Sequence, residues 1–262
     1  MKEERYTVLM SVYYKEKPAY LKTSIESMLN QTIPPDEFVI VKDGPLSKEL
    51  DAVIDTFIDK NPGLFTIIEN KVNLGLGPAL AKGILASRNS LIARMDSDDY
   101  SVNTRCEKQL KEFEKDSALE MVGTFEAEFI DNIENVISIH SVPETDSEIR
   151  KFMRRRCAVL HPTVMYKKQS VIDSGNYQDV HLYEDYDLFA RMVLEHNTKT
   201  YNIQENLLYF RFSSKVFKRR GGWKYAINEF RFQKMLRQLH FISFPQYIRN
   251  IFVRFLTRII PN

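Results

Sequence analysis

Three carboxylates within four residues, Asp96-Ser97-Asp98-Asp99, are the clearest chemical signal in this sequence. Alternate residues of an extended chain point the same way, so Asp96 and Asp98 can face one target together. Carboxylates this close repel each other, which raises their pKa values, and a hard divalent cation such as Mg²⁺ or Mn²⁺ relieves that repulsion. The alternative interpretation is a solvated loop in which an Asp caps the helix that starts near Thr104.

A second acidic pair, Glu184-Asp185, stands shortly before the apolar Leu188 and Phe189. Acidic side chains at the start of a helix are explained adequately by capping and the helix dipole. The functional interpretation is a carboxylate that acts as a general base and deprotonates an alcohol. Both interpretations remain open on this stretch alone.

The glycines of segment 73–77, Asn-Leu-Gly-Leu-Gly, are a weaker signal. The segment lacks the full dinucleotide fingerprint and the Lys-Ser/Thr of a P-loop, and its glycines fit a tight turn before a helix equally well. A helix N-terminus at this place would still favour an anionic ligand.

Two further side chains, His161 and Arg211, are isolated candidates. A lone histidine is more often structural, and the alternative for His161 is a contact with a metal or a diphosphate. Arg211 could neutralise a diphosphate through charge-assisted hydrogen bonds, or it could be a solvated loop charge.

Strands and helices alternate four times within the first 115 residues, which is typical of the α/β class with a mostly parallel sheet. Strands are predicted at 6–13, 37–42, 65–68 and 91–95, and helices at 19–30, 50–58, 80–86 and 105–114. Ligands of such sheets bind outside the carboxyl ends of the strands. Tyr13, Asp43, Gly75 and Asp96 follow these strand ends, so we expect them on one rim.

After residue 120 the alternation loosens, and a more irregular second half packed against the first is expected. Strands are predicted at 121–130, 135–140 and 164–166, and helices at 146–153 and 186–194.

The composition, 44% apolar and 27% charged over 262 residues, is that of an ordinary globular chain. It disfavours disordered, collagen-like and coiled-coil classes. No signal peptide and no spanning helix are expected, since no run of about 18 apolar residues occurs.

The charge is divided unevenly along the chain. Residues from Lys215 onward include eleven Lys/Arg and one acidic residue, Glu229, whereas the preceding residues carry a net charge of −8. An apolar stripe at helical spacing lies in this basic tail; its members are Ile248, Ile251, Phe252, Phe255, Leu256 and Ile259. Such a helix can lie in a membrane interface and be attracted to anionic lipid, or it can pack on the body. Nucleic-acid binding is disfavoured because no reading motif accompanies the charge.

Together these motifs resemble the inverting glycosyltransferases of family 2, and the resemblance runs from about Tyr6 to about Arg211. It rests on Ser11-Val12-Tyr13, Asp43-Gly44, Asn73-Leu-Gly-Leu-Gly-Pro-Ala-Leu-Ala81, Arg94-Met-Asp-Ser-Asp-Asp99, Arg105-x-x-x-Gln109 and Glu184-Asp185. The chain looks most like the bacterial enzymes that extend O-antigen, capsule or exopolysaccharide units, the amylovoran-type subgroup.

The resemblance implies the GT-A fold and a division of the chain into three parts. A Rossmann-like nucleotide-sugar-binding half with a mostly parallel central sheet (1–119) would be fused to an acceptor-binding half (120–214). Basic amphipathic helices that associate with the membrane (215–262) would follow.

The resemblance also implies roles for individual residues. Val12 and Tyr13 would border the base of a nucleotide sugar, and Asp43 would bind its uracil or ribose side. Asp96 would contact the ribose, and Asp98 would hold a Mn²⁺ or Mg²⁺ ion that bridges the diphosphate.

The donor site would further include Gly75, Arg94 and Ser97. Asp185 would be the catalytic base, and Glu184 would contact the acceptor or the sugar. His161 and Arg211 remain candidates for acceptor or diphosphate contacts.

The function expected from this resemblance is transfer of a hexose from a UDP-sugar, galactose or glucose being favoured. The acceptor would be a saccharide on undecaprenyl diphosphate, reached from the cytoplasmic face of the inner membrane. One base suffices for direct displacement with inversion, whereas a retaining hydrolase needs two carboxylates about 5 Å apart. The alternatives are a nucleotidyltransferase and a catalytically inactive nucleotide-binding subunit docked on the membrane.

Overall fold

A twisted sheet with helices on both faces organises the chain in this computed structural model, which describes residues 5–180, 182–212 and 223–259. Nine strands of the described residues join one sheet in the order β3-β2-β1-β4-β8-β6-β9-β5, with β7 paired to β6. The strands are β1 (Tyr6–Val12), β2 (Glu37–Lys42), β3 (Phe65–Glu69), β4 (Leu91–Asp96), β5 (Tyr100–Ser101), β6 (Met121–Phe129), β7 (Val136–His140), β8 (Met165–Lys167) and β9 (Thr200–Arg211).

Helices connect and cover these strands. They are α1 (Pro18–Leu29), α2 (Lys48–Lys60), α3 (Leu76–Ala86), α4 (Arg105–Lys115), α5 (Asp146–Met153), α6 (Lys168–Asp173), α7 (Glu184–Ala190), α8 (Trp223–Gln238) and α9 (Phe244–Ile259). Local signals agree with several starts: Pro18 opens α1, and the Ser47 hydroxyl accepts the Leu50 N–H at the start of α2. Helix α7 continues as a π-helical turn over Arg191–Glu195.

The first four strands confirm the expected parallel arrangement. Strand β1 pairs in parallel with β2 and with β4, and β2 pairs in parallel with β3. Alternate residues of β1 pack on opposite faces: Leu9 joins the core beneath α3, whereas Met10 joins the core with α1 and α2. The carboxyl ends of β1, β2 and β4 therefore lie at one rim.

The second half extends the same sheet. Strand β8 pairs antiparallel with both β4 and β6, and β9 runs parallel to β6. The long strand β9 was missed because Gln204, Glu205 and Asn206 interrupt its β-branched pattern. The register with β6 shifts at this polar stretch, where Thr124 pairs with Ile203 but Phe125 pairs with Asn206. The part boundaries at 119/120 and 214/215 stay predictions.

Helices α8 and α9 and the residues between them carry both buried and exposed apolar side chains. Phe232 and Leu236 of α8, with Phe241 and Ile242 of the connection, join the core of the body. Other apolar side chains of this region are exposed; they are Ile227, Phe230, Leu239, Phe244, Ile248, Phe252 and Val253. We call this second set the apolar face. Residues 215–220 and the side chains of Phe255, Leu256 and Ile259, which the sequence also singled out, lie outside the described residues.

No helix in the part of the chain described above is both long enough and apolar enough to cross a membrane.

Candidate active site

The acidic motif begins at the carboxyl end of β4, where Asp96 pairs with Ser11 of β1. The buried Arg94 guanidinium donates a hydrogen bond to the Asp96 carboxylate from below. The Ser24 hydroxyl donates to the Asp96 carbonyl at 2.6 Å. The Ser97 hydroxyl donates to a Glu16 carboxylate oxygen at 2.7 Å, which adds a fourth carboxylate to this place.

Crowding of negative charge distinguishes Asp98. Partial burial, followed by the charges of Asp96 and Glu16, raises the pKa of Asp98 to about 7, against an opposing effect of Arg211. Burial and then Asp98 raise the pKa of Asp99 well above its ordinary value. The buried Asp99 Oδ2 has no hydrogen-bond partner among the described residues. The motif therefore contains more carboxyl groups than the nearby cationic side chains can neutralise.

Arg211, at the end of β9, is clamped onto this motif. Its Nε donates to the Asp98 carbonyl at 2.9 Å, and its backbone N–H donates to Asp99 Oδ1 at 2.8 Å. The guanidinium lies between two rings, 3.9 Å from the centre of Tyr20 and 4.5 Å from that of Phe129. These hydrogen bonds and ring contacts hold the guanidinium in place, so Arg211 is a fixed part of the rim rather than a solvated charge.

The loop after β2 is organised by Asp43, which is buried. Asp43 Oδ1 accepts the Leu74 N–H at 2.8 Å and the Asn70 amide at 3.0 Å, and Oδ2 accepts the Gly75 N–H at 3.0 Å. Gly75 has φ of +94°, a left-handed conformation that favours glycine. Asp43 thus holds the start of α3 at the rim, and the predicted uracil or ribose contact stays a prediction.

Helices α3 and α7 meet at their first turns. A Cβ on Gly77 would lie 2.4 Å from the Gln178 carbonyl and 3.1 Å from Glu184 Cγ. Only glycine allows this approach, which brings the Glu184-Asp185 pair against the glycine-rich turn. The Glu184-Asp185 turn therefore lies beside the start of α3, the helix that Asp43 holds at the rim.

Side chains on both sides hold the Glu184-Asp185 turn in place. Asp185 Oδ1 accepts the Tyr186 N–H at 2.7 Å, and the Tyr186 hydroxyl donates to the Met153 carbonyl at 2.5 Å. The Tyr183 ring stacks on Phe232 of α8, with centres 4.5 Å apart and planes inclined by 12°. The turn that carries the candidate base is therefore packed between the body and α8.

A buried layer beneath the rim contains His161. Its Nε2 lies 2.9 Å from the Tyr177 hydroxyl, which lies 3.2 Å from the Tyr166 hydroxyl. Burial and then the charge of Arg94 lower the pKa of His161 well below its ordinary value, so the ring is neutral. This environment favours the structural interpretation of His161, while its predicted ligand contact remains untested.

The same layer contains Tyr177 and Arg94. Burial chiefly raises the pKa of Tyr177, with smaller contributions that include raising by Asp185 and an opposing effect of Arg94. Arg94 Nε and Nη1 have no hydrogen-bond partner within the described part of the chain. At 1% exposure Arg94 lies under the motif, a place suited to supporting Asp96.

The end of β1 contributes Val12 and Tyr13. The Val12 side chain is buried, and its carbonyl accepts the Asp43 N–H at 2.7 Å. Tyr13 is half-buried with its ring edge-on to Tyr14. Their assignment to the base of a nucleotide stays a prediction.

The donor set is compatible with a divalent cation. Within the ranges the structure describes, no group of three or more His, Cys, Asp or Glu is arranged to hold a metal ion. Mg²⁺-type ions, however, commonly take one or two protein carboxylates and complete their shell with water and phosphate oxygens. The raised pKa of Asp98 and the unpartnered oxygen of Asp99 show that added positive charge would be favourable here.

Several contributors were not assigned to the site from the sequence. Glu16 follows β1, and its position after a strand end was the available signal. Tyr177 and Glu229 carry no local signal, because their relation to the rim comes from distant parts of the chain.

A comparison with protein-family models decides the family. The model described as glycosyl transferase family 2 matches residues 7–217. The chain belongs to glycosyltransferase family 2.

Curated relatives agree with this. Over 98% of its length the chain is 35% identical to the UDP-Gal:alpha-D-GlcNAc-diphosphoundecaprenol beta-1,3-galactosyltransferase of Escherichia coli, covering 92% of that protein.

Another relative confirms the resemblance to amylovoran-type enzymes. The family 2 chain is 34% identical to the amylovoran biosynthesis glycosyltransferase AmsE of Erwinia amylovora, over 98% of this chain and 94% of the relative.

Solved structures confirm the GT-A fold. The mannosyltransferase PcManGT from Pyrobaculum calidifontis, in complex with GDP-Man and Mn²⁺, matches 94% of this chain and 68% of its own, with a TM-score of 0.65 and 12% identity. S. aureus TarS 1-349 in complex with UDP-GlcNAc matches 87% of this chain and 65% of its own, with a TM-score of 0.64 and 14% identity. At these identities the likeness concerns the fold alone.

Proposed function

We propose that this family 2 glycosyltransferase moves a hexose, galactose or glucose, from a UDP-sugar to a saccharide on undecaprenyl diphosphate. The step belongs to bacterial surface polysaccharide biosynthesis, of O-antigen or capsule. The observation that carries the proposal is the close approach of Glu184 to Gly77 at the start of α3, the helix that Asp43 holds at the rim near the end of β4. The name of the Escherichia coli relative supports the donor and acceptor class, and the name of the Erwinia relative supports a role in polysaccharide biosynthesis.

Residues at the ends of β1, β2 and β4 bind the donor. Asp98 would hold Mn²⁺ or Mg²⁺ together with the donor diphosphate, and Asp96 would contact the ribose. When bound there, such an ion would supply positive charge to the departing nucleoside diphosphate. Val12 and Tyr13 border the uracil, and Asp43 keeps the glycine-rich turn in place beside it.

Transfer itself depends on Asp185. Its carboxylate accepts the proton of the acceptor hydroxyl, and the hydroxyl oxygen forms a bond to the anomeric carbon of the sugar. The bond from that carbon to UDP breaks on the opposite side, so the configuration inverts and UDP leaves. Glu184, beside the base, orients the acceptor or the sugar.

Other rim residues position the reacting groups. Arg94 orients Asp96 from below, and Arg211 holds the backbone of Asp98. His161, neutral and hydrogen-bonded with Tyr177, supports the same layer. Ser97 ties the motif to Glu16.

Access to a lipid-linked acceptor follows from the apolar face of α8 and α9. The same two helices carry exposed cations, namely Arg231, Lys234 and Arg249. The acid of this region, Glu229, is buried at 3% exposure. Exposed apolar rings among cations fit an anionic lipid surface, so we assign the protein to the cytoplasmic face of the inner membrane as a peripheral enzyme.

The proposal is tested with a panel of UDP-sugars and a synthetic GlcNAc-diphosphate-lipid acceptor. UDP release and glycosylated product should both require Mn²⁺ or Mg²⁺, and EDTA should abolish them. Transfer of a nucleotidyl group would instead support a nucleotidyltransferase. Nucleotide binding without any turnover would support an inactive subunit.

A further inference from the structure

Helix α8 contacts the turn that carries Asp185. Tyr183 is the residue before α7, and no side-chain hydrogen bond caps this helix. Instead, the Tyr183 hydroxyl donates to Glu229 Oε2 of α8 at 2.8 Å. Phe232, one turn further along α8, stacks on the Tyr183 ring and lies 4.8 Å from the ring centre of Tyr186. The orientation of the first turn of α7 thus depends on α8.

A buried chain of polar side chains continues from this contact. Gln233 donates to Glu229 Oε1 at 3.0 Å, and Asn250 of α9 donates to Gln233 at 3.0 Å and to the Arg154 carbonyl at 3.0 Å. Glu229, Gln233 and Asn250 are all buried. Buried polar networks of this kind are costly to leave half-satisfied, so they hold one geometry. The chain joins both C-terminal helices to the Asp185 turn.

We propose that Glu229 and Phe232 are positioning residues for Asp185, which makes the C-terminal helix pair part of the active site. The inference rests on the proposed function, because it concerns the base of that reaction. Neither residue contacts substrate; they act through Tyr183, two positions before Asp185. Stacking and a charge-assisted hydrogen bond to a buried carboxylate are both directional contacts, so together they restrict where the Asp185 carboxylate can lie.

Two conservative variants of the full chain test the inference. Tyr183→Phe keeps the stacked ring and removes the hydroxyl, and Glu229→Gln keeps the shape and removes the charge. We expect each to lower kcat for transfer roughly tenfold, since small displacements of a reacting group are costly. The KM for the donor and the Kd for UDP with Mn²⁺ should stay within about twofold of wild type, because neither substitution changes Asp96 or Asp98, the residues proposed to hold the donor.

Tyr201→Phe is the matched control. It removes a similar tyrosine–glutamate hydrogen bond, 2.8 Å to Glu144, ten residues before Arg211 on β9, and should leave kcat unchanged. Wild-type kcat in Tyr183→Phe and Glu229→Gln would overturn the inference. So would parallel losses of kcat, UDP affinity and thermal stability, which indicate a general structural role. Absence of transfer by the wild-type protein would reject the proposed function, and the inference with it.

Discussion

The residues of the acidic motif differ in what surrounds each carboxylate. Asp96 forms an ion pair with Arg94, and Asp99 accepts a hydrogen bond from the backbone N–H of Arg211. Asp98 is partly buried and faces Asp96 and Glu16; burial first, and then these two charges, raise its pKa to about 7. The sequence predicted the motif from spacing, and the cation inferred beside it stays a prediction. The sequence could not predict this division of roles, because Glu16 and Arg211 reach the motif from 82 and 113 positions away.

At the residue scale, Asp98→Asn should stabilise the metal-free protein more at pH 8 than at pH 5. The folded-state pKa of Asp98, about 7, lies above its ordinary 3.8. Protonated Asp98 therefore makes its full contribution to the stability of the folded state below about pH 4, and this contribution is lost as the pH rises through 7. Asn has no carboxyl proton to lose, so the variant does not lose stability in this way. Without solvent screening, this pKa shift corresponds to about 4 kcal/mol in the free energy of unfolding. Screening at this partly exposed site reduces the effect to about 1–2 kcal/mol.

Thermal unfolding in EDTA at the two pH values measures this effect. Asp55→Asn, on the exposed side of α2, is the control and should change the melting temperature equally at both. A gain that is smaller at pH 8 than at pH 5 would show that negative charge is not crowded around Asp98.

Among the elements, those of the first half other than the two-residue strand β5 were predicted to within a few residues, because their apolar periodicity is regular. Strand β9 was not, since its polar interruption at Gln204–Asn206 is accommodated only by a register shift against β6. The helix at the second acidic motif was expected from Tyr186 and begins at Glu184. Amphipathic patterns in α8 and α9 predicted helices, but the sequence left open which face would be buried.

The junction of β9 with the acidic motif gives a prediction at the element scale. Arg211→Lys should weaken binding of UDP with Mn²⁺ roughly tenfold, because Lys keeps the charge but loses the planar stacking between two rings. Without that clamp, the Asp98 backbone is no longer held by the end of β9. Isothermal titration calorimetry measures the change.

Arg88→Lys is the control for that experiment. Arg88 is paired with Glu37 at the start of β2, at the opposite end of that strand from Asp43. Unchanged UDP affinity in Arg211→Lys, or an equal loss in Arg88→Lys, would show that the guanidinium clamp does not support donor binding.

For the whole molecule, the uneven charge and the apolar face lead to a prediction about membranes. The double variant Phe244→Ser/Phe252→Ser should bind vesicles containing anionic phospholipid at least tenfold more weakly than wild type, because burying each ring contributes about 2 kcal/mol. Both rings are exposed, at 60% and 64%, so their loss leaves the core intact. Cosedimentation with vesicles, repeated at high salt, is the measurement.

A second pair of exposed apolar side chains provides the control. Ile137→Ser/Ile139→Ser changes β7, at an edge of the sheet, and should leave vesicle binding unchanged. Equal binding by wild type and Phe244→Ser/Phe252→Ser would show that the apolar face does not contact the membrane. Deletion of α9 is a poorer test, because Asn250 is buried and hydrogen-bonded to the body.

The most direct test of the account compares transfer and donor binding in Asp185→Asn. Asn keeps the shape of the side chain but cannot accept the acceptor proton, so transfer should fall about a thousandfold, with UDP and Mn²⁺ bound as in wild type. Glu195→Gln, at the far end of the same helical segment, should transfer sugar normally. Full transfer by Asp185→Asn would contradict the assignment of the base and the proposed joining of the two acidic motifs into one active site.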